Sequence, residues 1–478
     1  MPSLSSYTPK PNPSEYAADG YSPLLDIIIA NDVQALDEFI EKASKVDLVR
    51  SMLRNSDDIK ADISAAHQYG RTPLFQACMP LQCSPMEGPG HDPATTHRRS
   101  EDIVGILLDH GARVQVRAHE SYKQLKRDEG RELCTTPLSL AMHYISPTLL
   151  RRFIDLGAPL LAPLFLKVPL QAKYYEDVTL MHIAATFVNC DAIEILLGTC
   201  EGREMLSMRD KLGRLPVHWA ANCGTHDIEM KPNEETTRRA VETMKLLLPH
   251  SPVNDTDALG NTPLHLATTF GWRHGWIEAG EDQENHPPSF RNAVIHLLLA
   301  NGADVALRNH KGDTALGLVI VARVNPPPTA LLSSLLAHGA ALNETADGKG
   351  NTPLHFAAES LPQGLGNVKF LLERGADPTL VNADGDTAAH RAPRSQAKNH
   401  INDVTREIKQ VFELLEKASG DAQVRDRVNN AGVTPRGVLM EEQAGLAQRI
   451  KTHDEREMRL ARGRAGYRGV GRGRGRGS

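Results

Sequence analysis

Five histidines stand at the same place in a recurring phrase of the chain: His182, His218, His265, His355 and His390. Imidazole serves as a metal ligand and as a general base, so the first question is whether these side chains converge. They occur once per repeat, and stacked repeats hold them apart by about 8–10 Å, the distance between packed helices. A tetrahedral zinc site needs its ligands about 2.0–2.3 Å from one ion. The spacing therefore predicts structural histidines, with no metal and no other cofactor. The six cysteines, Cys78, Cys83, Cys134, Cys190, Cys200 and Cys223, include no Cys-x-x-Cys pair and show no fixed spacing to a histidine. They read as reduced thiols packed as small hydrophobes in an intracellular protein. The sequence contains neither a Gly-x4-Gly-Lys-Ser/Thr phosphate loop nor a Gly-x-Ser-x-Gly elbow, so no catalytic residue is assigned and an enzyme is not expected.

Arginine offers a different chemistry at the C-terminal end. Residues 461–478 alternate Arg and Gly, with Arg462, Arg464, Arg468, Arg472, Arg474 and Arg476 and a single ring, Tyr467. Guanidinium groups pair with phosphates and stack on bases, and a segment of this composition builds no core. The segment resembles the Arg-Gly tails of RNA-associated proteins, which implies weak, sequence-tolerant, salt-sensitive RNA contact. It also skews the charge. The chain of 478 residues has a net charge of −5, and its six tail arginines leave the remainder at −11. A hydrophobic content of 40% with 24% charged residues excludes a wholly disordered chain or a coiled-coil rod. No apolar run approaches the roughly 18 residues of a membrane span, and Met1-Pro2-Ser3-Leu4 does not begin a secretory signal.

The elements that must position these residues come from the repeats. The phrase Gly-x-Thr-Pro-Leu-His-x-Ala is complete at 260–267 and 350–357, with weaker copies around Thr72, Thr136, Thr179, Leu215, Thr314 and Thr387 and partial ones at 22–25 and 432–435. Thr caps a helix N-terminus and Pro tolerates the missing N–H at its first turn. Leu and Ala then share one face of the helix. A second apolar run ending in Gly-Ala follows, at Gly111, Gly157, Gly302, Gly339 and Gly375. Glycine there supplies the left-handed residue that stops a helix. One module is therefore helix, turn, helix and glycine-stopped loop. It resembles the ankyrin repeat, whose unit of 33 residues carries a Thr-Pro-Leu-His-x-Ala signature. The resemblance covers about residues 22–440 and implies that the repeated His supports a loop by hydrogen bonding.

The expected fold is all-α, an ankyrin-repeat solenoid of about nine helix–turn–helix units with disordered ends. Nine units stacked 8–10 Å apart would span roughly 80–90 Å. Successive anchors are all 33 residues or more apart, so departures from the repeat are insertions. Thr136 to Gly157 is 21 residues, whereas Thr72 to Gly111 is 39 and Thr262 to Gly302 is 40. The expected organisation is a disordered 1–20, an array over 21–440, a capping helix over 441–460 and a disordered tail over 461–478. Insertions are placed near 81–100, 115–132, 160–176, 224–236, 271–289 and 391–400.

By the resemblance, such an array grips a partner protein on a concave face of loop tips and first helices. The loop-tip candidates are Asp210, Lys211, Asp257, His310, Lys311, Asp347, Lys349, Asn382 and Asp384. Trp272 and Trp276, four apart in the 271–289 insertion, are candidate aromatic anchors, and Trp219 is read as core. The sequence thus predicts a monomeric protein–protein scaffold or adaptor of the cytoplasm or nucleus, without membrane insertion. The alternative is an RNA-associated protein acting through its tail.

Overall fold

The computed structural model describes residues 30–42, 72–79, 93–115, 135–222 (apart from Tyr144, Pro163 and 169–172), 234–269, 290–321, 328–361, 364–394, 401–420 and 425–444, with Leu24, Ile27 and Ile28. The chain forms two compact units. The N-terminal unit comprises 1–267 and 285–303, and the C-terminal unit 268–284 and 304–478.

The N-terminal unit opens with α1 (Val33–Lys42), then pairs first and second helices of successive repeats: α2 (Pro73–Cys78) with α3 (Pro93–Asp109), α4 (Pro137–Ala141) with α5 (Pro147–Asp155), and α6 (Leu180–Thr186) with α7 (Cys190–Leu197). A short α8 (Cys200–Met205) precedes α9 (Pro216–Ala221) with α10 (Glu234–Leu247), and α11 (Pro263–Thr268) with α12 (Phe290–Ala300). First helices pack on first helices (α2 on α4, α6 on α9) and second on second (α5 on α7, α7 on α10, α10 on α12), giving two helical layers. The C-terminal unit repeats the plan with α13 (Ala315–Val321), α14 (Thr329–Ala337), α15 (Pro353–Glu359), α16 (Gly364–Glu373), α17 (Ala388–Arg391), α18 (Ile401–Ser419) and a last helix, α19, over 435–444.

The local signals act as the residues require. Thr72 Oγ1 accepts from Phe75 N at 3.3 Å with Pro73 at the first helical position. The five stop glycines all have positive φ, from 76° at Gly157 to 95° at Gly339, and the alanine after each of Gly111, Gly157, Gly302, Gly339 and Gly375 donates back into its helix. Burial supplies most of the stability. Leu138, Leu150, Phe153, Leu180, Ile193, Val217 and Met244 are fully enclosed, each worth about 1.5–3 kcal/mol.

Three stretches depart from the simple module. The helix α3 starts at Pro93, so the end of the expected 81–100 insertion is an extended second helix. The third repeat lacks a glycine stop: Gly198 has helical φ (−69°), and Thr199 caps α8 by accepting from Gly202 N at 2.9 Å. Near 160–176 the chain forms an antiparallel hairpin, β1 (Leu164–Val168) with β2 (Lys173–Val178), with Leu164 opposite Val178 and Val168 opposite Lys173. Among the described residues the chain is therefore mostly helical, with one inserted pair of strands. The expected ends 1–20 and 461–478, the insertion 271–289 and the capping segment beyond residue 444 lie outside the described residues. Among those residues no helix is long and apolar enough to cross a membrane.

Candidate functional site

The loop tips of both units are built from one turn, used six times among the described residues. The Oδ1 of Asp210 accepts from Leu212 N and Arg214 N, both at 2.9 Å. Asp257, Asn309, Asp347, Asn382 and Asn429 make the same pair of bonds to the amides two and four residues on, at 2.8–3.0 Å. A side chain that caps its own turn in this way replaces a backbone turn bond. Asp210, Asp257 and Asn382 are consequently buried, at 5%, 6% and 7% exposure. Their place at the loop tips suggested partner contact, but their polar atoms face inward and hold the turn. Asp347 is half-buried with the same role, whereas Lys211, His310, Lys311, Lys349 and Asp384 are exposed.

Neighbouring tips are joined by their backbones. In the N-terminal unit Lys211 N donates to Glu176 O and Ala258 N to Leu212 O. In the C-terminal unit Gly348 N donates to Lys311 O at 2.9 Å, Ala383 N to Lys349 O at 3.0 Å and Asn430 N to Asp384 O at 3.1 Å. Gly312 has φ of +82°, and a Cβ there would meet Gly348 N at 2.5 Å, so glycine permits this approach.

Beneath the tips, the histidines tie each repeat to the next. His355 Nδ1 accepts from Thr352 N at 3.1 Å and contacts Thr352 Oγ1 at 2.8 Å, while Nε2 donates to Asp386 O at 2.8 Å. His182 bridges Thr179 to Arg214 O, His218 bridges Leu215 to Asp255 O and His390 bridges Thr387 to Val433 O. The bonding assigns the neutral tautomer with its proton on Nε2. Burial holds all four below the ordinary histidine range, against the pull of the carbonyl bond, and carries His182 to about 4. Both nitrogens are thus committed. Among the described residues no group of three or more His, Cys, Asp or Glu side chains is arranged to hold a metal.

Residues 289–382 match a family model described as ankyrin repeats, in three copies. The chain contains ankyrin repeats. It is 32% identical over 166 residues to an intracellular phospholipase A2 of Caenorhabditis elegans, covering 34% of this chain and 14% of that protein. It is 34% identical over 166 residues to the ankyrin repeat and SOCS box protein 16 of Mus musculus, 30% of this chain and 36% of that one. A 25% identity over 260 residues to the mouse B-cell lymphoma 3 protein homolog covers 54% of this chain and 50% of the relative. The chain thus spans at most half the length of these relatives.

The loop tips of the two units differ in charge. In the N-terminal unit Lys211 Nζ pairs with Glu176 Oε2 at 2.6 Å, and Arg209 with Asp255 Oδ2 at 2.7 Å. Arg214 is buried on Asp210 Oδ2, which also accepts from Trp219 Nε1 at 3.0 Å, and its guanidinium lies 4.5 Å from the Trp219 ring centroid and 4.8 Å from that of Tyr175. Trp219 is core, and this cluster anchors β2 to the repeats. In the C-terminal unit Lys311 and Lys349 pair with no carboxylate among the described residues. Trp272, Trp276, Arg462, Arg464, Tyr467, Arg468, Arg472, Arg474 and Arg476 lie outside the described residues. Sequence reasoning passed over the exposed aliphatics of the tips: Leu212 (42%), Leu259 (52%), Val381 (55%) and Val428 (61%). Their signal was an apolar residue two after Asp210 and Asp257, or one before Asn382 and Asn429.

Proposed function

We propose that the chain is a protein–protein interaction scaffold, which holds a partner protein on the face made by the ankyrin loop tips and first helices. The observation that carries this reading is the self-capped turn. Because each Asx side chain satisfies its own loop's amides, the exposed residues of the tip stand on a backbone that is already fixed. Such a surface binds with little ordering cost. Its contact candidates are Lys211 in the N-terminal unit and His310, Lys311, Asp347, Lys349 and Asp384 in the C-terminal unit, together with Trp272 and Trp276 of the 271–289 insertion. The reading assigns binding and no reaction. The phospholipase name belongs to a relative of which the match covers 14%.

Cross-linking mass spectrometry on cells expressing the full chain, with a lysine-reactive reagent, tests it. Proteins are expected at Lys311, Lys349 and Lys211, retained after nuclease treatment and after deletion of 461–478. Partners that disappear with nuclease or with the tail would instead favour the RNA-associated reading.

A further inference from the structure

We propose that the loop tips of the C-terminal unit take an extended segment of a partner protein that is acidic at one end and aliphatic at the other. This deepens the scaffold reading and rests on it. Four successive tips each contribute an outward group to this contact. Lys311 and Lys349 stand two residues after Asn309 and Asp347, exposed and without a carboxylate among the described residues. Val381 and Val428 stand one residue before Asn382 and Asn429, exposed by 55% and 61%. The other cations nearby are committed: Arg308 to Gly312 O and Glu344, and Arg427 to Thr379 O. The ladder from Lys311 O to Gly348 N, from Lys349 O to Ala383 N and from Asp384 O to Asn430 N keeps the four tips in order.

The spacing sets the chemistry of the occupant. Stacked repeats are about 8–10 Å apart, and an extended segment in the polyproline II conformation advances about 3.1 Å per residue with three residues per turn. Such a segment crossing the tips therefore presents one side chain per repeat at every third residue. Two carboxylates three apart would face Lys311 and Lys349, followed at the same interval by two aliphatic residues over Val381 and Val428. A nucleic acid fits less well. Its phosphates repeat along its whole length, and the third and fourth tips expose Asp384 and Asp426, which would repel them while leaving the valines unused. The electrostatic half of the contact supplies orientation and on-rate, and the aliphatic half supplies burial.

The experiment selects displayed random 16-residue peptides on the full chain. It then measures the recovered peptides by fluorescence anisotropy against the unsubstituted chain and the K311E/K349E and V381S/V428S variants, with poly(U) as a nucleic-acid probe. All four positions are on the surface, and unchanged thermal melts confirm that the variants fold. The expected result is enrichment of two acidic positions three apart with aliphatic positions at the same interval. K311E/K349E should weaken binding by about tenfold or more and V381S/V428S by about threefold to tenfold, with added salt mimicking only the first loss. Recovered peptides without that spacing, or with affinities indifferent to both variants, would overturn the inference while leaving the scaffold reading in place. Failure to capture any peptide, together with no protein cross-links in cells, would overturn both. Capture of poly(U) but no peptide, abolished in K311E/K349E, would replace the inference by a nucleic-acid surface.

Discussion

The junction after α15 and the junction after α13 perform the same task with different chemistry. After α15, His355 spans the gap: it takes the Thr352 amide on one nitrogen and reaches Asp386 O with the other. After α13 the corresponding residue is Gly317, and the next loop comes in directly, with Thr314 N donating to Ala346 O at 3.2 Å. A Cβ at Gly317 would lie 3.0 Å from Ala346 Cβ. The α4 repeat shows a third solution. Ser139 closes its cap on Thr136 in both directions, at 2.9 and 3.0 Å, but its short side chain serves only its own helix. A histidine thus does two jobs, capping and linking, that serine and glycine divide. The cost is a buried imidazole that must stay neutral.

Acidification should separate the two kinds of junction most strongly. The unfolded chain protonates its histidines near the ordinary value of about 6.5, whereas burial keeps His182, His218, His355 and His390 neutral to lower pH. The unfolded state therefore binds more protons, and stability rises with pH across this window. It should fall as pH drops below about 6.5, by up to about 1.4 kcal/mol per pH unit for each such histidine, a loss that for His182 continues down to about 4. Hydrogen exchange read repeat by repeat should show loosening around α6, α9, α15 and α17, and none of that origin around α4 and α13. Equal loosening everywhere would remove the distinction.

Next in size are truncations of the capping residue. His355→Ala deletes a buried ring and leaves Thr352 N without its acceptor, while Asp386 O keeps Asn382 N alone, which should cost about 3 kcal/mol. Ser139→Ala removes a local cap and should cost about 1 kcal/mol. Urea denaturation followed by circular dichroism compares them, and similar losses would mean that the link between repeats contributes little. The smallest effect is a gain. Asn367 is buried at 1% exposure, and neither its Nδ2 nor its Oδ1 has a hydrogen-bond partner. Eight residues before the other stop glycines stand Ile103, Leu149, Val294 and Leu331, all buried. Asn367→Leu should therefore stabilise the α16 repeat by about 1 kcal/mol, visible as slower exchange in α15 and α16.

Much of the architecture was legible because its signals are local. Thr, Pro, the apolar stripe and the stop glycine each act within one turn of helix, so the phrase alone marks where α11 or α15 begins. The link made by His182 was legible only as an implication of the family, since the partner carbonyl at Arg214 is 32 residues away. The tips were misjudged for a physical reason. Charge and a loop position suggested that Asp210, Asp257 and Asn382 meet solvent, yet their Oδ1 atoms fold back onto nearby amides. The spacing Asx-x-x-Gly, with glycine three residues on, carried that information. The hairpin at 164–178 was hidden by Pro163 and Pro169, which break the apolar run, although Val, Phe and Tyr are enriched there.

The histidine contacts also have a sense of direction. Each imidazole gives its proton to the following repeat and asks nothing of the preceding one. Shortening the C-terminal unit from its far end would orphan His390 and then His355, each losing the carbonyl it serves. Trimming from the opposite end strands no imidazole. Deletion series begun at the two ends should therefore not be symmetrical: a cut just after Arg394 leaves a donor with nowhere to go, whereas a cut just before Thr352 does not.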